Sequence, residues 1–536
     1  MNKRVINIVN FVRGVEPREP EKDLFLPVVE ELRVNRRFGL KSTVLLQYDA
    51  ILRDDVAGFF SEAAPDVELG LWFEMNRPLT EAVGIEWRGR PGYDWDWFVN
   101  PGFLPAYTLE QRRALIDEAF RLFREKFGFC PKVAGSWLLD AYSMQYMSEK
   151  YGLDAMCICR EQYAVDAYTL WGGYYTGGYY PSRNNALCPA ADRDNAVSTP
   201  VFRMLGIDPI YGYDEAKYPT GVWGCNTMEP VWTSGSDRRI MEWYMDVYYK
   251  SPCLSYSHAT TGQENSFGWP SIKAGYELQA ELISEMAGKG EIDVETLGET
   301  GRAFKEAYDT TPCNALCALS DRTDNGLRAV WFDSPFYRAG LVLEPGGRLY
   351  IRDLNIFDPE YKERYLDEPC TAWDARYDNL PVVDNRLWSS GGIDSMILIA
   401  DNVNPESFTV SEKDDETLVL GFDVNIAGFT QKCSVSFEKR AIRFNGLDSI
   451  EYHPGIPEKG QHAEYDRDAN KFVLDHFGFR YEVAINGAKA EMKTESSGDG
   501  QRIIAPFYRL SSGSEEFSVS GSLSKTASAS SYSVFL

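Results

Sequence analysis

Residues 108–140 read TLEQRRALIDEAFRLFREKFGFCPKVAGSWLLD, and the fold turns on this stretch. Thr108 with Gln111 three residues on makes a capping box, the signature of a helix start. Leu115, Ile116, Ala119, Leu122, Phe123 and Phe127 then keep to one face, and Gly128 ends the helix. The apolar run 132–137 reads as a strand closing on Leu138, Leu139 and Asp140. A helix over 142–151 follows, stopped by Gly152, and 155–158 is the next strand. Strand, polar end residue, amphipathic helix and glycine in rotation are the pattern of β/α units.

The rotation begins upstream. Residues 5–9 are the first predicted strand, with a helix over 27–38 that stops at Gly39. Residues 43–46 are the second, ending in Gln47, Tyr48 and Asp49, and 67–73 are the third, ending at Glu74. An aromatic loop holding Tyr93, Trp95 and Trp97 leads into the capped helix. From 160 to about 249 the pattern loosens into Gly-, Tyr- and Asn-rich sequence around Trp171, Tyr174 and Tyr175, and loops this long usually act as lids or binding surfaces. A strand at 253–256, a helix over 272–286, a strand at 292–296 and a helix over 302–308 complete an expected β/α barrel ending near residue 310.

Beyond 311 the pattern changes. Asp324-Asn325-Gly326, Asn445-Gly446 and Asn486-Gly487 are hairpin turns, and 420–424, 433–437, 481–485 and 517–520 alternate apolar with polar residues. Strands without intervening helices predict an antiparallel β-sandwich over 311–536. The Ser-rich stretch 518–533 is expected either to fray or to form an edge strand. The β domain is expected to pack on its own barrel or, in a homo-oligomer, on a second copy of the chain.

The 536 residues hold 55 Lys and Arg against 80 Asp and Glu, a formal charge of −25. That charge repels phosphate backbones and anionic lipid surfaces, so neither nucleic acid nor membrane is an expected partner. The ten cysteines lack paired metal-ligand spacing and are read as reduced thiols. Asn7, Asn10 and Arg13 break the first apolar run short of a signal-peptide core, so a cytoplasmic location is expected. Aromatic residues make up 14% of the chain, and flat rings with a polar tip suit stacking on sugars, which makes carbohydrate the expected partner.

In a β/α barrel the reacting groups stand at the carboxyl ends of the strands. Arg13 and Glu16 follow the first strand, Asp49 the second, Glu74 the third, Asp140 the fourth, and Glu295 with Glu299 the last. His258 and Glu264 follow the strand ending at Tyr256. Most of these are carboxylates. A carboxylate pair can protonate a leaving group and attack or activate water, as breaking a glycosidic bond requires.

The segment Gly135-Ser136-Trp137-Leu138-Leu139-Asp140-Ala141-Tyr142 resembles the fourth-strand motif of family 57 glycoside hydrolases. Gly262-Gln263-Glu264-Asn265-Ser266-Phe267-Gly268-Trp269 is similar to the same family's acid/base motif. The resemblance implies Asp140 as nucleophile, one carbon shorter than the family's Glu, and puts the acid/base of a retaining mechanism nearer Gln263, so that the adjacent carboxylate Glu264 takes that role. More broadly, the layout up to about residue 310 resembles the glycoside hydrolase/deacetylase superfamily, which implies a (β/α)7-type barrel. Deacetylases of that superfamily hold a metal through an Asp after strand one and two His after strand three. Here those places carry Asn10 to Arg13 and Glu74 to Arg77, and three of the four histidines, His453, His462 and His476, fall in the β domain. No metal and no cofactor are expected.

The leading expectation is a glycoside hydrolase or transglycosidase acting on a small glycoside or oligosaccharide. Asp140 and Glu264 are its catalytic pair, and Arg13, Asp49, Glu74, Trp137, Trp171, Tyr174, Tyr175 and Trp269 bind the sugar. Two alternatives stay open. One is inverting hydrolysis or other sugar chemistry in which His258 takes part; the other is a non-catalytic barrel that binds carbohydrate or a partner protein. Each residue also has a plain structural role open to it, such as Arg13 pairing with Glu16, His258 filling the core, or the aromatic pairs anchoring loops.

Overall fold

The computed structural model describes residues 3–522 except 63–66, 166, 214–226, 385–394, 427, 455–460, 494–506 and 513–515. Seven parallel strands carry the N-terminal part: β1 (Lys3–Val12), β2 (Ser42–Leu46), β3 (Val67–Trp72), β4 (Val133–Gly135), β5 (Ala155–Cys159), β6 (Val201–Met204) and β7 (Tyr256–Thr261). They stand in the order β7-β1-β2-β3-β4-β5-β6. Enclosed on both faces, most are near-continuous apolar runs rather than alternating ones. Phe202 of β6 packs on His258 of β7 at 4.8 Å, and the Gly206 N–H donates to the Thr260 carbonyl at 3.1 Å. The sheet thereby curls into a nearly closed barrel.

Helices α1 (Phe25–Phe38), α2 (Leu109–Phe127), α3 (Ala141–Tyr151), α4 (Trp269–Gly288) and α5 (Leu297–Ala307) lie in the connections. Thr108 and Gln111 cap α2 reciprocally, and Gly128 closes it in the left-handed conformation at φ 79°. The buried face of α2 includes Leu115, Ile116 and Phe120, and Phe120 stacks on Tyr151 of α3 at 3.7 Å.

Three sequence expectations need correction. The strand expected at 253–256 lies at Tyr256–Thr261, because Ser257, His258, Thr260 and Thr261 are polar yet buried and no apolar run marks them. Strand β6 falls inside the stretch read as loop. The strand expected at 292–296 is a three-residue segment, Asp293–Glu295, that pairs beside β1.

After α5 the chain forms two antiparallel sheets. One runs from Asn314–Ala318 through Arg328–Asp333, Tyr337–Leu343 and Leu349–Ile356 to Met396–Ala400, Ser449–His453, Phe507–Ser512 and Ala488–Lys493. The other is ordered Val403–Asp414, Thr417–Ile426, Phe429–Glu438, Ala441–Asn445, Glu516–Ser522, Phe479–Asn486, Lys471–His476, Gln461–Asp466. Their inner faces share one apolar core, in which Phe332 of the first sheet stacks on Phe437 of the second at 5.6 Å. Glu516–Ser522 pairs on both sides, so the start of the Ser-rich stretch is an interior strand and not an edge; 523–533 lies outside the described residues.

The two halves are interlocked. Tyr175 of the barrel stacks on Trp331 of the β domain at 3.8 Å, and Tyr168–Leu170 pairs in parallel with Ala375–Tyr377, making a small sheet drawn from both. Arg338, fully buried, forks onto Asp353 at 2.8 and 2.9 Å and reaches Glu161 of the barrel at 2.9 Å.

Asp333 lies in this interface and accepts the Tyr175 N–H at 2.8 Å; burial pushes its pKa up to about 8. The unfolded chain releases that proton near the ordinary carboxylate value, ~3.9. Between those limits the folded state holds the extra proton, so this contribution to stability is full below pH ~4 and lost as pH rises through about 8. The melting temperature is expected to fall between about pH 5 and about pH 8.5, and Asp333→Asn, which keeps the acceptor and loses the charge, is expected to flatten that slope. Scanning calorimetry of both proteins at the two pH values checks it; identical slopes refute it.

Candidate active site

Strand β1 delivers Arg13 to the mouth of the barrel. The Arg13 N–H donates to Asn265 Oδ1 at 2.9 Å and the Asn265 amide donates back to the Arg13 carbonyl at 2.9 Å, tying the end of β1 to the turn after β7. Gly262 permits that turn: its φ is 119°, and a β-carbon there would meet the Val9 carbonyl oxygen at 2.1 Å. The Arg13 guanidinium forks onto Glu74, with Nε to Oε2 and Nη2 to Oε1 both at 2.8 Å, and its Nη1 meets Glu264 Oε2 at 2.7 Å. Its flat face lies over Trp95 at 4.0 Å. Burial works against the charge of Arg13, but Glu264 and then Glu74 hold it above the ordinary arginine value. The second Glu264 oxygen accepts from the Ser266 hydroxyl.

This triad lines a cavity of about 460 Å³, within the span of small-molecule sites, ~300–1,000 Å³. Trp95, Trp97, Phe103, Trp137, Tyr168, Trp232 and Phe267 form aromatic walls, and Arg18, Arg160, Gln162 and Glu229 add polar groups. Trp137 stands edge-on to Phe11 at 5.0 Å and to Trp72 at 5.5 Å, so the wall is braced by barrel residues.

Sequence reasoning missed Glu229. It enters from the segment after β6, where neither strand nor helix periodicity marks it; the one cue is a carboxylate close to Trp232 in a long loop. Its Oε2 accepts from the Thr227 hydroxyl at 2.9 Å and the Trp232 indole at 3.1 Å, and the Gln263 amide reaches Oε1 at 3.3 Å. Burial raises its pKa above the ordinary glutamate value; Arg160 and these hydrogen bonds oppose the rise, and the charge of Glu264 adds to it.

Of the residues singled out from the sequence, Arg13, Glu74, Trp137 and Glu264 meet at the cavity. Asp140 does not. It is fully buried and caps α3, with Oδ1 accepting from the Ser143 N–H at 2.9 Å and from Arg112 at 3.0 Å, and Oδ2 from the Ser143 hydroxyl at 2.6 Å. That arrangement leaves it no access to a substrate, and the expected nucleophile is corrected to a helix cap. His258 sits in the middle of β7, its Nε2 2.8 Å from Asn7 Oδ1, and burial pushes its pKa down to about 3; it is a neutral core residue, not an acid.

Asp49 lies behind the mouth and outside the cavity wall, accepting the Gly14 N–H at 3.1 Å, and burial lifts its pKa to about 6. Trp171, Tyr174 and Tyr175 are packed under the β domain, where Trp171 meets Tyr213 at 5.1 Å and the Tyr174 hydroxyl donates to the Pro312 carbonyl at 2.7 Å. Trp269 packs on Tyr276 within α4 at 6.3 Å. None of these four lines the cavity, because the β domain and the neighbouring helix cover the rings. Glu16 pairs with Arg18 at 2.6 Å, not with Arg13.

A metal site of the deacetylase kind does not fit these residues. Both Glu74 oxygens are taken by Arg13, whose own charge opposes a cation, and among the described residues no three His, Cys, Asp or Glu side chains are grouped to hold one.

No protein-family model and no curated protein matches the sequence. Among solved structures, a candidate glycoside hydrolase/deacetylase from Parabacteroides distasonis aligns with a TM-score of 0.51 at 14% identity, over 72% of this chain and 91% of that one. The two share a fold. A candidate polysaccharide deacetylase from Mycobacterium smegmatis aligns over 57% of this chain and 91% of its own at 10% identity, with a TM-score of 0.35. Neither singles out family 57, and with Asp140 capping a helix the likeness of 135–142 to that family loses its catalytic anchor.

Proposed function

We propose that the barrel mouth is the active site of a carbohydrate-active hydrolase that breaks glycosidic bonds, with Glu229 as general acid and Glu264 as its charged partner. The observation that carries this is the contrast between two carboxylates facing one aromatic cavity. Glu264 shares its charge with Arg13, whereas Glu229 takes its hydrogen bonds from neutral donors and burial favours its protonated form. Acid and nucleophile, or acid and base, need carboxylates held in opposite states. Flat rings on the cavity walls suit a sugar held between them. The shared fold with a candidate glycoside hydrolase/deacetylase agrees with hydrolytic sugar chemistry. Product analysis by NMR assigns the finer class: retention makes Glu264 the nucleophile, and inversion makes it the base that activates water.

The test is a panel of aryl and alkyl glycosides of hexoses, hexosamines and uronic acids. Glu229→Gln is expected to cost about 10²–10⁴-fold on alkyl glycosides, which need protonation, and little on dinitrophenyl glycosides, which do not. Because the Glu229 pKa is raised, wild-type kcat/KM should hold above the ordinary glutamate value, ~4.3, and decline only as pH climbs past the raised one. In the variant, activated substrates should lose that alkaline limb. If the wild type cleaves no glycoside in the panel, or Glu229→Gln lowers all leaving groups equally, the assignment fails.

A further inference from the structure

The aromatic wall does not stop at the cavity. Trp95 and Trp97 line it, with ring centroids 6.1 Å apart; Phe98 follows Trp97 at 5.8 Å, and Trp373 meets Phe98 at 4.7 Å. Trp95 is buried, Trp97 and Phe98 are half-buried, and Trp373 is 52% exposed, so the row climbs from the catalytic floor to open solvent. It is held in place. Arg90, paired with Asp96 at 2.8 Å, lies over Trp97 at 4.0 Å and over Phe98 at 4.8 Å. The Trp373 carbonyl accepts the Val99 N–H at 2.8 Å, and the Asn100 amide donates to the Thr371 carbonyl at 2.9 Å.

Trp373 belongs to the segment that leads into Ala375–Tyr377, the strand by which the β domain pairs with Tyr168–Leu170 at the edge of the cavity. A single exposed ring needs no explanation, but one that continues a contiguous aromatic row out of a cavity marks a binding surface. We propose that this row is a set of outer subsites for a linear glycan, and that the β domain completes the binding cleft by supplying Trp373. The substrate class is then an oligosaccharide or polysaccharide chain whose end enters the cavity, not a single glycoside. The inference rests on the proposed glycan chemistry of the mouth but concerns chain length, which that proposal leaves open.

The probe is an array of glycans from monosaccharide to hexasaccharide, read with the full-length protein and with Trp373→Ala and Trp373→Tyr. Affinity for the recognised sugar is expected to rise with length, and Trp373→Ala to remove about tenfold of it from the longest members while sparing the shortest. Trp373→Tyr should retain most of the length dependence because a ring remains. Binding that ignores length, or a Trp373→Ala variant that weakens short and long glycans alike, overturns the outer subsites and leaves the catalytic reading standing. If no glycan of any length binds to folded protein, both fall. If Trp373→Ala leaves the array unchanged but lowers the sedimenting mass, the ring belongs to a contact between copies and the proposal is wrong.

Discussion

Glu264→Gln is expected to leave the fold intact and to cut turnover by about 10³-fold or more on every glycoside, activated or not. The amide keeps the shape of the side chain and can still accept one hydrogen bond from Arg13, while Arg13 retains its fork on Glu74. What disappears is the negative charge that, in the proposed mechanism, attacks the anomeric carbon or draws the proton from water. This differs from the acid variant, which spares good leaving groups. In a retaining enzyme Glu264→Ala with added azide should recover cleavage of a dinitrophenyl glycoside: the anion attacks the anomeric carbon, the phenolate leaves, and the product is the inverted glycosyl azide. A Glu264→Gln protein working within about tenfold of the parent would remove Glu264 from the chemistry.

The second large effect is on stability. Arg13 pairs with two buried carboxylates, and Arg13→Met would leave both without their cation in a poorly solvated wall. The loss is expected at about 3–5 kcal/mol, read as a lower urea midpoint by circular dichroism. The cost comes from unpaired charge and not from the loss of arginine as such, so adding Glu74→Leu to Arg13→Met should recover part of the loss although one more residue is altered. If Arg13→Met unfolds at the parent midpoint, the triad is not holding the mouth together.

Much of the barrel is legible because its signals are local. Thr108, Gln111 and Gly128 announce a helix in any surroundings, and the helix is there. Of the residues picked by the rule that reacting groups follow the strands, Arg13, Glu74 and Glu264 line the cavity, since each comes after an apolar run or its turn. It fails where one residue type serves two purposes. Asp140 followed by Ser143 reads as a strand-end carboxylate and as a helix cap, and only the partner Arg112, on another helix, decides for the cap. The sequence leaves the core role of His258 undecided because β7 is polar, and its enclosure is set by Phe202 and Asn7 from distant strands. Glu229 comes long after the end of β6, with no apolar run directly before it. The Trp171 to Tyr175 cluster looks like a sugar platform until Trp331, over a hundred residues away, is laid on top of it.

That last overlap has a bearing on modularity. A barrel joined to a β-sandwich suggests two cassettes that could be traded separately, yet the stacked rings of Tyr175 and Trp331 and the strand pair across the join leave no clean seam between them. The ion pairs of Arg338 are divided between the two halves, Glu161 on one side and Asp353 on the other. A recombinant that grafted this barrel onto a foreign partner would inherit an orphaned hydrophobic face, and Glu161 would lose one of its two cationic partners, keeping Arg203. The unit available for transplantation, by nature or in the laboratory, is the whole chain.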